Sequence, residues 1–312
     1  MHHQSWPVID YAASSETLQT LQLWMQVVGK IRLASTPWLN HSWHVPLYVT
    51  ARGLGTSSIP CQGEVMELEF DLIDQRLVAR TSRGQRANLA LASRSVRDFF
   101  IAFTTMLRGL GIEVHIHASP NEIPEGVPFL DDTLARAYLP ERAHAFWRAL
   151  LQVDRVLKQF RTGFIGKCSP VHFFWGSFDL AVTRFSGRPA PPHPGGIPAL
   201  PDAVTREAYS HELSSAGFWP GDPRYPQAAF YAYAYPMPED FGQAHVRPKD
   251  TEFAASLGEW VLPYDAVRTA EDPERSLLEF LQDTYVAAAQ GAHWNRAALE
   301  CALGTPGRPR TI

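Results

Sequence analysis

The chain has little cysteine. Cys61, Cys168 and Cys301 stand far apart, and no Cys-x-x-Cys pair occurs. That argues against a disulfide framework and against a zinc knuckle, and it suits a reducing, cytoplasmic setting. A basic excess is also missing: 28 Lys and Arg face 32 Asp and Glu, for a net charge of −4. A general nucleic-acid binder would usually be basic, so no nucleic-acid partner is expected. No apolar run reaches the roughly 18–20 residues that span a bilayer, so no membrane partner is expected. The opening MHHQSWPVIDYAASSETLQT lacks the basic start and long apolar core of a signal peptide. Two catalytic spacings are absent as well. Gly166-Lys167-Cys168 is not preceded by a phosphate-loop pattern, and Ser215 stands where an HExxH helix opening at His211 would need its second histidine.

What is present is a large hydrophobic share, 45% of 312 residues, enough to bury a sizeable core. Helical spacing of Leu18, Leu21, Trp24, Val28 and Ile31 predicts a helix over 16–35, capped by Ser15 and ended by Pro37. A strand is expected at 43–52, with Pro46 placing it at an edge or bulge. Runs at 64–72, 76–82 and 86–91 read as strands, the first two joined by a tight turn at Asp74-Gln75. An amphipathic helix at 95–111 and a strand at 113–119 follow. The second part repeats the order: a helix at 140–161, strands at 171–175, 177–185, 206–214 and 228–235, and a helix at 273–290. The fold expected is therefore α+β. It has two similar halves, 1–125 and 126–304, each an antiparallel sheet backed by helices, and a flexible tail at 305–312. Faint matches such as MQVVGKIR against LQVDRVLK are compatible with an old duplication. The Pro- and Gly-rich stretch 187–203 is a loop, either a plain connection or a cover over a site.

The densest chemistry lies in FRTGFIGKCSPVHFFWGSFDLAVTRFSG, residues 160–187. It holds Cys168, His172, Asp179 and Arg184, with aromatic side chains between them. Read as one extended run, His172, Phe174, Leu180, Val182 and Arg184 share a face, and Trp175, Ser177, Asp179 and Thr183 share the other. A turn at Gly176-Ser177 would reassign these faces. Cys168 is a candidate nucleophile if a cation lowers its pKa, or else a small buried apolar residue. Along 44–52, alternation places His44, Tyr48, Thr50 and Arg52 together. At 209–213, Tyr209 and His211 share a face. Tyr231, Tyr233 and Tyr235 form a row that either walls a polar pocket or packs a half-wet sheet.

Three long runs, NHSWHVPLYVTARGL, FIGKCSPVHFFWGSFDLAVTRFSGR and EAYSHELSSAGFWPG, resemble a bacterial family catalogued only as a domain of unknown function. The resemblance extends from Trp6 to Glu300. It implies one family-length unit and transfers no activity, cofactor or catalytic residue.

The functional expectation is an enzyme acting on a small polar or anionic molecule. Its catalytic candidates are His172, His211, Cys168 and Asp179. Its ligand-binding candidates are His44, Arg52, Trp175, Arg184, Tyr209, Tyr231 and Tyr233. Histidine would act as acid–base or metal ligand, and arginine would orient an anion. His44, His172 and His211 are the candidate ligands of a divalent metal, the one cofactor considered. Rival readings are a non-catalytic small-molecule binder and an interaction scaffold.

Overall fold

The structure is a computed structural model that describes residues 6–310; the paired His2 and His3 lie outside the described residues. Helix α1 (Tyr11–Ser35) opens where the Asp10 carboxylate accepts the Ala13 N–H at 3.3 Å, so the cap is Asp10 and not Ser15. Leu21, Trp24, Val27, Val28 and Ile31 bury it nearly all round. A helix buried on nearly every side belongs in the middle of a fold. Gly29 sits where a Cβ would lie 2.3 Å from the Trp175 indole nitrogen, which lets that ring rest on the helix.

The strand expected at 43–52 is mostly absent. A 3-10 turn at Asn40–Ser42 holds His41 and Ser42 at φ 58° and 56°, and only β1 (Tyr48–Val49) pairs as a strand. Proline at 46 supplies no N–H, and the Thr50 hydroxyl then accepts the N–H groups of Arg52 and Gly53, which turns the chain. Strands β2 (Gly53–Gly55), β3 (Ile59–Cys61), β4 (Glu64–Asp71), β5 (Arg76–Thr81) and β6 (Arg86–Ala90) complete an antiparallel sheet. Its order is β1-β2-β4-β5-β6, with β3 also on β4. The β4–β5 turn is held by Asp71, whose carboxylate accepts the Ile73 and Asp74 N–H groups. Helix α2 (Val96–Gly109) follows, capped by Ser95. Among the described residues, 113–119 pair with no strand, although Val114 and Ile116 pack on the core.

Helix α3 (Pro140–Arg161) opens the second half. Strands β7 (His172–Phe174) and β8 (Asp179–Pro189) form a hairpin. Helix α4 (Asp202–Ala208) takes the first residues, 206–208, of the strand expected at 206–214, and β9 (His211–Trp219) takes its end, 211–214. Asp202 and Arg206 bridge one turn of α4 at 3.3 Å, a helical spacing hidden by the proline-rich run before it. Strands β10 (Ala229–Tyr235), β11 (Glu252–Ala254) and β12 (Glu259–Pro263) finish an antiparallel sheet of order β11-β12-β10-β9-β8-β7. Helices α5 (Tyr264–Arg268), α6 (Pro273–Gly291) and α7 (Arg296–Leu299) close the chain. Each half thus carries one six-stranded antiparallel sheet and its own long helices. Reciprocal hydrogen bonds of 2.9 Å between Leu47 and Phe173 link them. At the end, Gly304 and Arg310 both bond to Thr162, so the tail through Arg310 folds back on α3.

The second sheet has two unlike faces. Leu180, Val182, Phe218 and Phe230 are fully buried; Phe218 stacks on Phe146 of α3. Asp179, Ala181, Thr183, Ser215, Tyr231 and Tyr233 project from the other face into a cavity. That polar, period-two face carries the site.

Candidate functional site

The cavity has a volume of about 460 Å3, within the range of small-molecule pockets. Its floor is the polar face of β8, β9 and β10. Tyr231 donates its hydroxyl to the Asp179 carboxylate, and Ser177 donates to the other oxygen of the same group. Gly217 makes this possible: a Cβ there would lie 2.6 Å from the Tyr231 hydroxyl. Tyr233 and Tyr209 pair hydroxyl to hydroxyl at 3.0 Å, and Thr183 pairs with Ser215 at 2.9 Å. Trp38, Trp43, Phe174, Trp175 and Phe185 supply aromatic walls.

A second carboxyl faces the same space. Glu122 lies in irregular chain at φ 60° and approaches Gly176, where a Cβ would come within 2.0 Å of its carboxylate oxygen. Burial, then the nearby charge of Asp179, pushes Glu122 up to about 7. Glu259, at the start of β12, is pushed up to about 7 by the same two causes. Burial also raises Asp179, while the hydrogen bonds from Ser177 and Tyr231 favour its charged form. Glu122 and Asp179 are therefore both shifted upward, and Asp179 also has two hydroxyl donors aimed at its charged form.

Lys30 of α1, only 3% exposed, lines the same cavity. Its ammonium donates to the Asn121 side-chain oxygen, and burial lowers it to about 8. Gln22, Gln26 and Lys30 recur every four residues and form one polar stripe on α1. Gln22 donates to the Gly176 carbonyl at 2.7 Å, and Gln26 exchanges two bonds with the Asn121 backbone at 2.8 and 2.7 Å. Near the cavity edge, His41 Nδ1 lies 2.7 Å from the Ala208 carbonyl. A carbonyl only accepts, so Nδ1 carries the hydrogen and the Nε2 lone pair meets Lys167 Nζ at 2.6 Å.

The 187–203 loop and α4 form the cavity's cover. Ile197, Leu200, Pro201 and Val204 line it from above. Asn121 donates to the Ala199 carbonyl at 2.6 Å, Glu122 N–H to Pro198 at 3.0 Å, and the Tyr235 hydroxyl to Pro191 at 2.9 Å.

The structure brings Asp179, Trp175, Tyr209, Tyr231 and Tyr233 together in this cavity, and it places the other candidates elsewhere. His172 is buried among the edges of Trp43, Tyr48 and Phe174, and neither ring nitrogen has a hydrogen-bond partner among the described residues. Burial, aided by Arg32 and Arg161, drives it down to about 3. His44 bonds to the Leu39 backbone and packs on Trp38. His211 pairs with Ser210 at 3.1 Å and lies beside His41. Among the described residues no three His, Cys, Asp or Glu side chains are grouped to hold a metal ion, so His44, His172 and His211 do not form the expected ligand set. Cys168 has its thiol raised by burial, with Arg161 and Arg184 opposing, which is the reverse of an activated nucleophile. Arg52 is 40% exposed on its side chain and pairs with Asp71 and Asp74. Arg184 is buried between Phe160 and Tyr285 on the helix-covered face, its guanidinium 3.5 and 4.4 Å from their centres. It donates to the Phe160 carbonyl at 2.5 Å.

Lys30, Asn121 and Glu122 are cavity residues that the sequence pattern did not single out. The one available signal was the Gln22-Gln26-Lys30 stripe inside an otherwise apolar helix. No match is found among curated proteins or among solved structures. The sequence profile described as "Family of unknown function (DUF5996)" matches residues 6–301, and the chain belongs to that family.

Proposed function

We propose that the chain is an enzyme performing acid–base chemistry on a small polar molecule held in this cavity. Asp179 acts as the base and Glu122 as the acid. The observation that supports this reading is that both carboxyls face one covered cavity in unlike surroundings: Asp179 receives two hydroxyl donors, and Glu122 packs on Gly176 beside that charge. Two titratable groups whose environments separate their protonation are the usual basis for dividing acid and base roles. The tyrosine row and the Thr183–Ser215 pair supply neutral donors and acceptors to orient a hydroxylated or carbonyl-bearing substrate.

The test is turnover. Purified protein is incubated with mixtures of small polar metabolites, and consumption is followed by mass spectrometry. A compound converted by the wild type should be converted about 10²-fold or more slowly by Asp179→Asn and by Glu122→Gln. The rate should fall as pH rises through about 7, where Glu122 loses its proton. Compounds that bind but are left unchanged by the wild type would make this the pocket of a non-catalytic binding protein, the reading its aromatic walls also suit.

A further inference from the structure

We propose that Lys30 is the anchor for an acidic group, so that the cavity takes small monocarboxylic acids with an apolar, ring-bearing body. The proposal names a ligand class for the site described above and so rests on that cavity being functional.

A lysine ammonium has three hydrogens to donate. Lys30 places one on the Asn121 side-chain oxygen, and no carboxylate lies within 4.0 Å of it among the described residues. It is nonetheless only 3% exposed and lines the cavity. Buried charges in proteins are normally paired, because desolvating a lone ammonium is costly. A carboxylate brought by a ligand would supply the missing partner.

The lysine is also held in place. Gln26 clamps the backbone of Asn121 in both directions, and the Asn121 side chain bridges Lys30 to the Ala199 carbonyl of the cover. The Trp175 ring lies 5.9 Å from the ammonium, and Gly29 is what lets it sit that close to the helix. An anchor fixed before the ligand arrives loses little entropy on binding.

The rest of the cavity sets the class. A single lysine suits a monoanion; a phosphate dianion would call for arginine forks or a cluster of N–H donors, and Arg52 and Arg184 lie elsewhere. Leu33, Trp43, Phe174, Trp175, Phe185 and Leu213 offer an apolar, aromatic body site. The Asp179–Tyr231 and Glu122 groups of the same lining receive a polar substituent.

The test is binding, measured by calorimetry with three matched probe sets: phenylacetate and indole-3-acetate, their neutral amides, and the corresponding amines. The acids should bind about tenfold or more tightly than the amides, the difference expected for one charge-assisted contact. Lys30→Met and Lys30→Gln should bring the acids down to the amide level and leave the amides unchanged. Acid affinity should also decline as pH passes about 8, where Lys30 loses its charge. Equal binding of acids and amides by the wild type overturns the proposal, and this comparison needs no variant. So does preference for the amines, retention of acid binding in both Lys30 variants, or no acid binding at about 10 mM. Asp179→Asn separates the two readings. Acids that bind the wild type and this variant alike, with no conversion by either, leave the anchor standing and remove the acid–base role. Conversion of neutral compounds without any preference for acids removes the anchor alone.

Discussion

Replacing Glu122 with Gln should stabilise the protein at alkaline pH and leave it unchanged in acid. The carboxyl is lifted from 4.5 to about 7 by burial and by Asp179. At roughly 1.36 kcal/mol per pKa unit, the shift corresponds to at most about 3.4 kcal/mol of unfavourable ionisation. Water entry and relaxation around a half-buried residue reduce this, so about 1–2 kcal/mol is expected. The sign follows from proton counting. Between about 4.5 and 7 the folded state holds more protons on this group than the unfolded state, so stability falls as pH rises through that window. Above it the cost is fully present, and below it there is none. Gln keeps the size and has no charge to ionise, so the gap between the two proteins should open across the same window. Equilibrium urea unfolding of both proteins, at about pH 8 and at about pH 4.5, measures it. At this chain length the alkaline gain should appear as roughly 2–8 °C in Tm. A gap that does not vary with pH, or a variant less stable at about pH 8, would refute the reasoning. Since Glu122 and Glu259 both feel Asp179, the midpoint of the change belongs to the cluster as a whole.

Gly29→Ala reverses a common expectation. Alanine in a helix interior ordinarily gains about 1 kcal/mol over glycine, but here the new methyl meets the Trp175 ring at 2.3–2.4 Å. The variant should lose about 1–3 kcal/mol by overpacking, and a thermal melt showing stabilisation would overturn the reading. His172 is held near 3, against 6.5 for a free imidazole, so the unfolded state binds more protons between those values and stability is lost as pH falls through 6.5. His172→Phe should remove that loss and gain up to about 2 kcal/mol at about pH 5 relative to its effect at neutral pH; a gap that is flat between the two pH values would count against it. Arg184→Met should cost about 1–3 kcal/mol through the lost aromatic contacts and the lost bond to Phe160, while ligand binding in the intact fold is unchanged; a selective loss of binding would return Arg184 to the site.

Local periodicity determined a good part of this protein. Helices α2, α3 and α6, the β4–β5 hairpin and the Tyr231-Tyr233 row all follow from spacings of 3.6 or 2 within one segment. Within β8 the same rule placed Asp179 and Thr183 together on the cavity face. Trp175 and Ser177 instead reach the cavity from the β7–β8 turn, and Phe174, expected on the opposite face, lines it too, because the run is a hairpin and not one strand. Where Pro46 and the turn at Thr50 interrupt the extended chain, the predicted strand and its shared face of His44 and Arg52 disappear. Only tertiary structure decided which polar groups would find partners. Arg184 and His172 look reactive in sequence, yet the first is enclosed by rings from α3 and α6 and the second by rings around β7. Lys30 and Glu122 look ordinary, yet both line a cavity closed by a loop from residues 190–201, and Lys30 bonds to Asn121 beside Glu122. Their separation along the chain is spanned by packing and by the bonds of Gln26 and Lys30 to Asn121; burial sets the chemistry of Lys30, and burial with the charge of Asp179 sets that of Glu122.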